Sequence, residues 1–154
     1  MDIDENLRIK NFLSSKRLGT LATISHDSHA PELALVYYVI DDSFRIFIVT
    51  SAGSRKIQNI EQDNKVAFLV GQEVEPIVVQ IEGYASVVIE AEVKTMAFEL
   101  LAEAANANSQ SQTFPPLINL TKGKGVEVLQ IIIKRLKYSD FSIDGSPVIF
   151  EQVR

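Results

Sequence analysis

Hydrophobic and polar positions alternate along most of this chain with the two-residue period of β-strands. Runs of β-branched and aromatic residues are separated by short segments rich in Asp, Ser, His and Pro, which are turn-forming residues. The predicted strands are 20–25, 33–40, 44–50, 65–70, 75–90 and 126–136, followed by a terminal hairpin of 138–141 and 147–150 around Asp144 and Gly145. An isolated glycine inside the fifth strand, Gly83, predicts a bend or bulge there.

Three segments have helical spacing instead. Apolar residues near the N-terminus predict a helix that is capped by Asp2 or Asp4 and ends near Arg17 and Gly19. A short helix is predicted over 54–63, directly after the third strand. Residues 92–107 are rich in alanine and have one apolar face, so we expect this helix to pack on the core.

Six or seven strands with mostly short connections predict a mainly β domain, an antiparallel barrel or strongly curled sheet rather than a βαβ fold. No internal repeat or linker divides residues 1–154, which indicates a single domain. No strand is followed by a G-x-G-x-x-G sequence, so nucleotide binding in the Rossmann manner is not expected.

Composition narrows the classes of function. Hydrophobic residues make up 46% of the 154 positions, enough for a substantial core, and the net charge is −5 with no basic stripe, which argues against nucleic-acid binding. There is no cysteine, and the two histidines, His26 and His29, share one turn, so no metal site is expected. The acidic N-terminus and short apolar runs predict a cytoplasmic protein that does not associate with a membrane.

The turn after the third strand carries the strongest chemical signal. It consists of Thr50-Ser51-Ala52-Gly53-Ser54-Arg55-Lys56, in which Gly53 can adopt an unusual backbone angle and Ser54 can cap a helix. Two cations in the first turn oppose the helix dipole, and a bound anion would resolve that conflict. The turn therefore predicts a phosphate site, and the alternative is a solvated helix start.

The same residues resemble a known family. The turn at 50–56, the following segment Asn59 to Val70, the opening 18–23, the turn at Pro31 and the later strand 80–85 occur in an order similar to that of the FMN-binding split-barrel family, typified by pyridoxamine 5′-phosphate oxidase. The resemblance covers roughly residues 7 to 90, and the remainder matches only in the sequence of elements. It implies a six-stranded antiparallel split β-barrel with Greek-key-like connections and a few peripheral helices.

The resemblance also implies a homodimer with FMN at the subunit interface. Arg55 and Lys56 would hold the FMN phosphate, because a guanidinium and an ammonium suit a dianion. The hydroxyl donors would be Thr50, Ser51 and Ser54.

The strand that contains Val36, Tyr37 and Tyr38 would line the isoalloxazine edge. Neighbouring side chains of a strand point to opposite faces, so at most one of the two tyrosines is expected to touch the ring while the other fills the barrel. Gln80 falls two residues after the oxidase's flavin-binding glutamine, whose place is taken by Val78. It would reach the flavin through a register shift or bulge, and otherwise it is a rim amide.

Two departures from the oxidase concern the reaction. The chain has no Trp, and its C-terminal segment lacks the oxidase's tryptophan and arginine. Lys94 is the only cation in the helix predicted at 92–107, where the oxidase holds its substrate's phosphate. Oxidation of pyridoxamine phosphate is therefore not expected.

A flavin transfers hydride or electrons by itself, so no catalytic side chain is expected. The predicted function is an FMN-dependent oxidoreductase that uses a reduced nicotinamide, NAD(P)H, or a small organic substrate. The alternative is a non-catalytic flavin-binding, redox-sensing or stress-associated module. F420 and haem are less favoured ligands, since extra cations and a suitably placed histidine are lacking. The polar segment 106–116 either borders the pocket or only connects two elements.

Overall fold

The computed structural model describes residues 3–71, 74–107, 125–142 and 145–154. Within these ranges the elements are α1 Ile3–Ser15, β1 Leu18–Ile24, β2 Pro31–Ile40, β3 Arg45–Ser51, α2 Arg55–Gln62, β4 Lys65–Gly71, β5 Ile77–Val87, α3 Ala91–Ala107, β6 Val126–Asp140 and β7 Val148–Val153. The predicted helices and the first five strands are present with ends shifted by a few residues. Of the predicted loop 106–116, residues 106 and 107 belong to α3 and the rest lie outside the described residues.

The strands form a closed antiparallel barrel. They are ordered β3-β2-β1-β4-β5-β6-β7, and an additional pairing of β3 with β6 closes the first six into a barrel, with β7 as an extra strand. Every pairing is antiparallel. The predicted fold class, a mainly β protein with a six-stranded antiparallel barrel and a few helices, is confirmed.

The last strands differ from the prediction in one respect. Segments 126–136 and 138–141, predicted as separate strands, are one continuous strand, β6. No turn residue interrupts the chain between them, and Lys137 continues the ladder opposite Gln80. The first half of β6 pairs with β3, and its second half pairs with β7 on the same edge.

The predicted irregularity at Gly83 is confirmed. The register between β5 and β6 shifts between Glu82 and Gly83. A Cβ atom at residue 83 would overlap the carbonyl oxygen of Ile132, so only glycine allows the two backbones to approach this closely.

The apolar core lies inside the barrel, and helices cover its two ends. Helix α1 contributes Ile9 and Leu13 at the end where β1 begins, and α2 contributes Ile57 and Ile60 where β1 ends. Helix α3 packs on the outside, where Ala97 and Leu101 form a second cluster with apolar residues of β3 and β6, Phe47, Val49 and Val128. The prediction that α3 packs on the core is confirmed in this form.

The barrel is split between β2 and β3. These strands pair only at their ends, Tyr38↔Ile48, Val39↔Phe47 and Ile40↔Ile46. In the described part of the chain, residues 31–37 of β2 pair with β1 on one edge and with no strand on the other. Helix α2 begins after the end of β3, beside this opening. The candidate site therefore lies where the barrel is open.

Candidate functional site

The turn between β3 and α2 leads into a helix whose first backbone amides have no side-chain cap. Gly53 has a φ of 78°, and the Ser54 amide donates to the Ser51 carbonyl at 3.2 Å. Ser54 occupies the N-cap position, yet its side chain makes no capping hydrogen bond, and the first turn of α2 contains no acidic residue. The first amide groups of α2 therefore lack the side-chain cap that most helices provide.

Two hydroxyl groups lie together in this turn. Thr50, buried at the end of β3, donates from Oγ1 to Ser54 Oγ at 3.3 Å. Ser51 is exposed beside them. Three hydroxyl-bearing residues thus lie within one turn at the start of α2.

The two cations of the turn have different surroundings. Lys56 is half-buried and makes no ion pair with a described residue. Arg55 Nη2 lies 2.6 Å from Glu32 Oε1 and 3.2 Å from Asp27 Oδ1. Arg55 Nη2 also donates to Ser25 Oγ at 3.3 Å. Lys56 is consequently available to an external anion, whereas the Arg55 guanidinium already has two carboxylate partners.

The carboxylates around Arg55 are held in their ionised form. The Arg55 guanidinium and the Asn59 amide lower the pKa of Glu32 to about 2. The Ser25 hydroxyl and Arg55 lower the pKa of Asp27 to about 2. In turn, Glu32 and Asp27 raise the pKa of Arg55. At neutral pH the cluster therefore contains one positive and two negative charges.

Asn59 holds the β1–β2 hairpin against α2. It is completely buried, its Oδ1 accepts from both the backbone N–H and Nδ1 of His26 at 2.8 Å, and its Nδ2 donates at 3.0 Å to Thr23 Oγ1 and to Glu32 Oε2. Because an amide oxygen can only accept, His26 Nδ1 carries the proton in this contact. All the hydrogen-bonding capacity of the buried amide is thus used.

Glu32, Asp27 and Asn59 were not identified as site residues from the sequence. The two carboxylates lie in a turn and a strand far from Arg55 along the chain, and nothing local indicates the contact. Asn59 did carry a signal, since it is a polar residue between the buried Ile57 and Ile60 of α2. A buried polar residue within an apolar helix face needs hydrogen-bond partners. The partners of Asn59 lie on the β1–β2 hairpin, which packs against α2.

The three predicted residues of β2 divide between its two faces. Val36 and Tyr38 belong to the barrel core, where Tyr38 donates its hydroxyl to the Leu13 carbonyl at 2.5 Å and packs edge-on against Phe68. Tyr37 points to the other face, where it is buried and its hydroxyl has no partner among the described residues. Of the two tyrosines, Tyr38 therefore fills the barrel.

Gln80 lies on the outer face of the sheet. It stands between Leu69 and Lys137 in a row that crosses the strands. This face carries an open cavity of about 520 Å³, and the cavity is lined by Thr20, Ala22, Leu33, Ala67, Phe68, Leu69, Gln80, Ile81, Glu82, Arg135, Lys137 and Glu151. Gln80 is thus at the surface and away from the β3–α2 turn along the sheet.

The described residues contain neither a metal-binding cluster nor a membrane-spanning helix. No group of three or more His, Asp or Glu side chains there is arranged to hold a metal ion. None of the three helices, as far as they are described, has the length and apolar character of a membrane span.

Comparison with known proteins assigns the family. The family model described as pyridoxamine 5′-phosphate oxidase matches residues 7–135, and no curated protein matches. Among solved structures, the conserved hypothetical protein Rv2991 from Mycobacterium tuberculosis is 27% identical over 95% of this chain and 94% of that chain, with a TM-score of 0.67. A Clostridium acetobutylicum protein related to general stress protein 26, of the pyridoxinephosphate oxidase family, has a TM-score of 0.70 at 10% identity, covering 98% and 96%.

A third similar structure is the heme binding protein from Mycobacterium smegmatis. Its TM-score is 0.65 at 15% identity, and the match covers 99% of this chain and 58% of that chain. At these low identities the second and third structures show a shared fold alone. The family match covers most of the barrel, including the β3–α2 turn, and the chain belongs to the pyridoxamine 5′-phosphate oxidase family.

Proposed function

We propose that this protein binds FMN and acts as an oxidoreductase, exchanging hydride or electrons between the flavin and a reduced nicotinamide or a small organic substrate. The observation that carries the proposal is the β3–α2 turn. It offers hydroxyls, helix amides without a side-chain cap, and Lys56, which has no ion-pair partner among the described residues, and the first turn of α2 contains no acid. Membership of the family supports flavin as the ligand.

The residues of the turn fit a phosphate dianion. The amides at the start of α2 and the hydroxyls of Thr50, Ser51 and Ser54 can donate hydrogen bonds to phosphate oxygens, and Lys56 can add a charge-assisted contact. Arg55 can join them only by sharing or exchanging its carboxylate partners. In the bound state the isoalloxazine supplies the redox chemistry, and these residues anchor and orient it.

The open edge of β2 is proposed to receive the flat ring. Residues 31–37 have no strand on this edge among the described residues, so backbone donors and acceptors are available there. On the outer side of the same strand, Leu33 is 74% exposed and Leu35 is 59% exposed. Apolar side chains beside polar backbone groups match a ring with an apolar face and a polar edge.

We further propose that a second copy covers the outer face of the sheet. Two rows cross the strands there: Leu35, Thr20, Leu69, Gln80, Lys137, Glu151 and Leu33, Ala22, Ala67, Glu82, Arg135, Val153. The rows are apolar on β2 and β4, whereas on β5 to β7 four of the six positions are charged and the other two are Gln80 and Val153. An isologous dimer would bury the apolar part and remove an exposed patch that monomers rarely keep.

Leu33→Glu tests this face directly. The charge is expected to dissociate the dimer, as measured by light scattering after size exclusion, whereas Leu7→Glu on the exposed surface of α1 should leave the mass unchanged. A monomeric wild type would contradict the proposed dimer.

The flavin proposal is tested by the visible spectrum of the purified protein after incubation with FMN. We expect a flavin spectrum that bleaches when NADH or NADPH is added anaerobically. A bound flavin that stays oxidised with donors would favour the second candidate, a non-catalytic flavin-binding module. No uptake of FMN would contradict the proposal.

Lys56→Ala locates the phosphate. Losing one charge-assisted contact is expected to weaken FMN binding by about 2 kcal/mol. Lys65→Ala, which removes an exposed lysine at the start of β4, is the control for loss of a positive charge and should leave the affinity unchanged. Equal affinities in the two variants would show that the phosphate lies elsewhere.

A further inference from the structure

The guanidinium of Arg55 is occupied by a carboxylate of the same chain. Glu32 Oε1 lies 2.6 Å from Arg55 Nη2 and 3.2 Å from Arg55 Nε, so two nitrogens of the guanidinium fork face one side chain. A phosphate oxygen could occupy the same position between these two nitrogens. Glu32 is therefore a resident anion at a residue that the family resemblance assigns to phosphate binding.

We propose that Glu32 is a specificity-determining residue, because its carboxylate competes with the phosphate of an incoming ligand for Arg55. This inference rests on the proposed function and deepens it. A phosphate can take the Nε and Nη2 side of Arg55 only when Glu32 withdraws from it, so phosphorylated ligands bind less tightly than they would if Glu32 were absent. Ligands without a phosphate do not compete and are unaffected.

The positions of the two residues allow such an exchange. Glu32 is near the start of β2 and Arg55 begins α2, so they stand on opposite sides of the split. The side chain of Glu32 is 32% exposed and that of Arg55 is 53% exposed, so water can solvate the carboxylate when it leaves. Glu32 Oε2 also accepts from Asn59 Nδ2, a partner that remains after the exchange.

The charge balance favours the same conclusion. Arg55 faces Glu32 and Asp27, so an approaching dianion meets a cluster with a net charge of −1. Removing the charge of Glu32 makes this cluster neutral. Lys56, in the same turn, has no carboxylate partner among the described residues, and its contribution does not depend on Glu32.

The test compares the dissociation constants of FMN and riboflavin for the wild type, Glu32→Gln and Glu61→Gln. Glu61 is an exposed carboxylate on α2 and serves as the matched control for loss of a negative charge. For Glu32→Gln we expect about fivefold tighter binding of FMN, in the range of an exposed ion pair, with no change for riboflavin. Glu61→Gln should change neither. Unchanged or weaker FMN binding by Glu32→Gln would overturn the inference.

A second variant and a second readout keep the inference testable in every case. Asp27→Asn removes a negative charge beside Arg55 and leaves the hydrogen bonds of Asn59 in place. We expect a smaller gain in FMN affinity than for Glu32→Gln, because the Asp27 contacts with Arg55 are longer, at 3.2 and 3.5 Å. If the wild type binds no FMN, the proposed function fails, and the competition is then read from the Arg55 Nε–H resonance during a titration with inorganic phosphate. A shift at lower phosphate concentration in Glu32→Gln than in the wild type supports the inference, and identical titrations overturn it.

Discussion

Two junctions of the barrel are built in opposite ways. Strands β5 and β6 pair along their whole common length, from Ile77↔Asp140 to Val87↔Leu129, with one bulge. Strands β2 and β3 pair at only three positions, and polar side chains from the β1–β2 hairpin, β2 and α2 meet beside the opening. The backbone closes the first junction and side chains hold the second, so only the second can admit a ligand without breaking a sheet.

The closed junction depends on the close approach of two backbones at Gly83. We expect Gly83→Ala to lower the free energy of unfolding by about 3 kcal/mol, because the new Cβ would overlap the Ile132 carbonyl and force the strands apart. Urea denaturation measures the change. Ser86→Ala, at an exposed position of the same strand, is the control and should be nearly neutral. A loss below about 1 kcal/mol would show that the bulge adjusts freely.

The open junction depends on Asn59. Asn59→Ala leaves the Thr23 hydroxyl, the His26 amide and one oxygen of Glu32 without this partner, and we expect a loss of about 2 kcal/mol of unfolding free energy. Hydrogen exchange of the His26 amide should accelerate more than that of residues in β5. Gln58→Ala, on the exposed side of α2, provides the control. Unchanged exchange at His26 would mean that other contacts hold the hairpin.

The ion pairs beside the open junction should make the stability of the protein fall in acid. This is the smallest of the expected effects on stability. The folded-state pKa values of Asp27 and Glu32 are lowered to about 2, so their contribution is complete above their ordinary carboxyl values and is lost as the pH falls towards 2. Between pH 4.5 and 2 the wild type should therefore lose more stability than the double variant Asp27→Asn with Glu32→Gln. Parallel curves from thermal unfolding would contradict the ion-pair cluster.

Much of the fold could be predicted from the sequence because its signals are local. Each of three predictions depends only on residues close together in the sequence: the alternating strands, the apolar face of α3 and the irregularity at Gly83. All three are confirmed. The continuity of β6 was missed, since strand length depends on pairing with β5 and β7, which the segment itself does not reveal.

The candidate site was predicted only in its local part. Residues 50–56 are contiguous, and their turn, cap position and first-turn cations follow from the sequence. The pairing of Arg55 with Glu32 and Asp27 depends on the hairpin folding against α2, so it could not be read from spacing. The orientation of Tyr37 and Tyr38 could not be predicted either. Alternation along β2 places the two side chains on opposite faces of the sheet, but it does not say which face is the interior of the barrel.

Flavin binding by this protein is proposed to depend on the β3–α2 turn, which would hold the phosphate. The most direct measurement is the pair of dissociation constants for FMN and riboflavin with the wild-type protein, obtained from the quenching of flavin fluorescence. Because the two ligands differ only in the phosphate, we expect FMN to bind about a thousandfold tighter, the equivalent of two charge-assisted contacts of about 2 kcal/mol each. Equal affinities, or no binding of FMN, would contradict it.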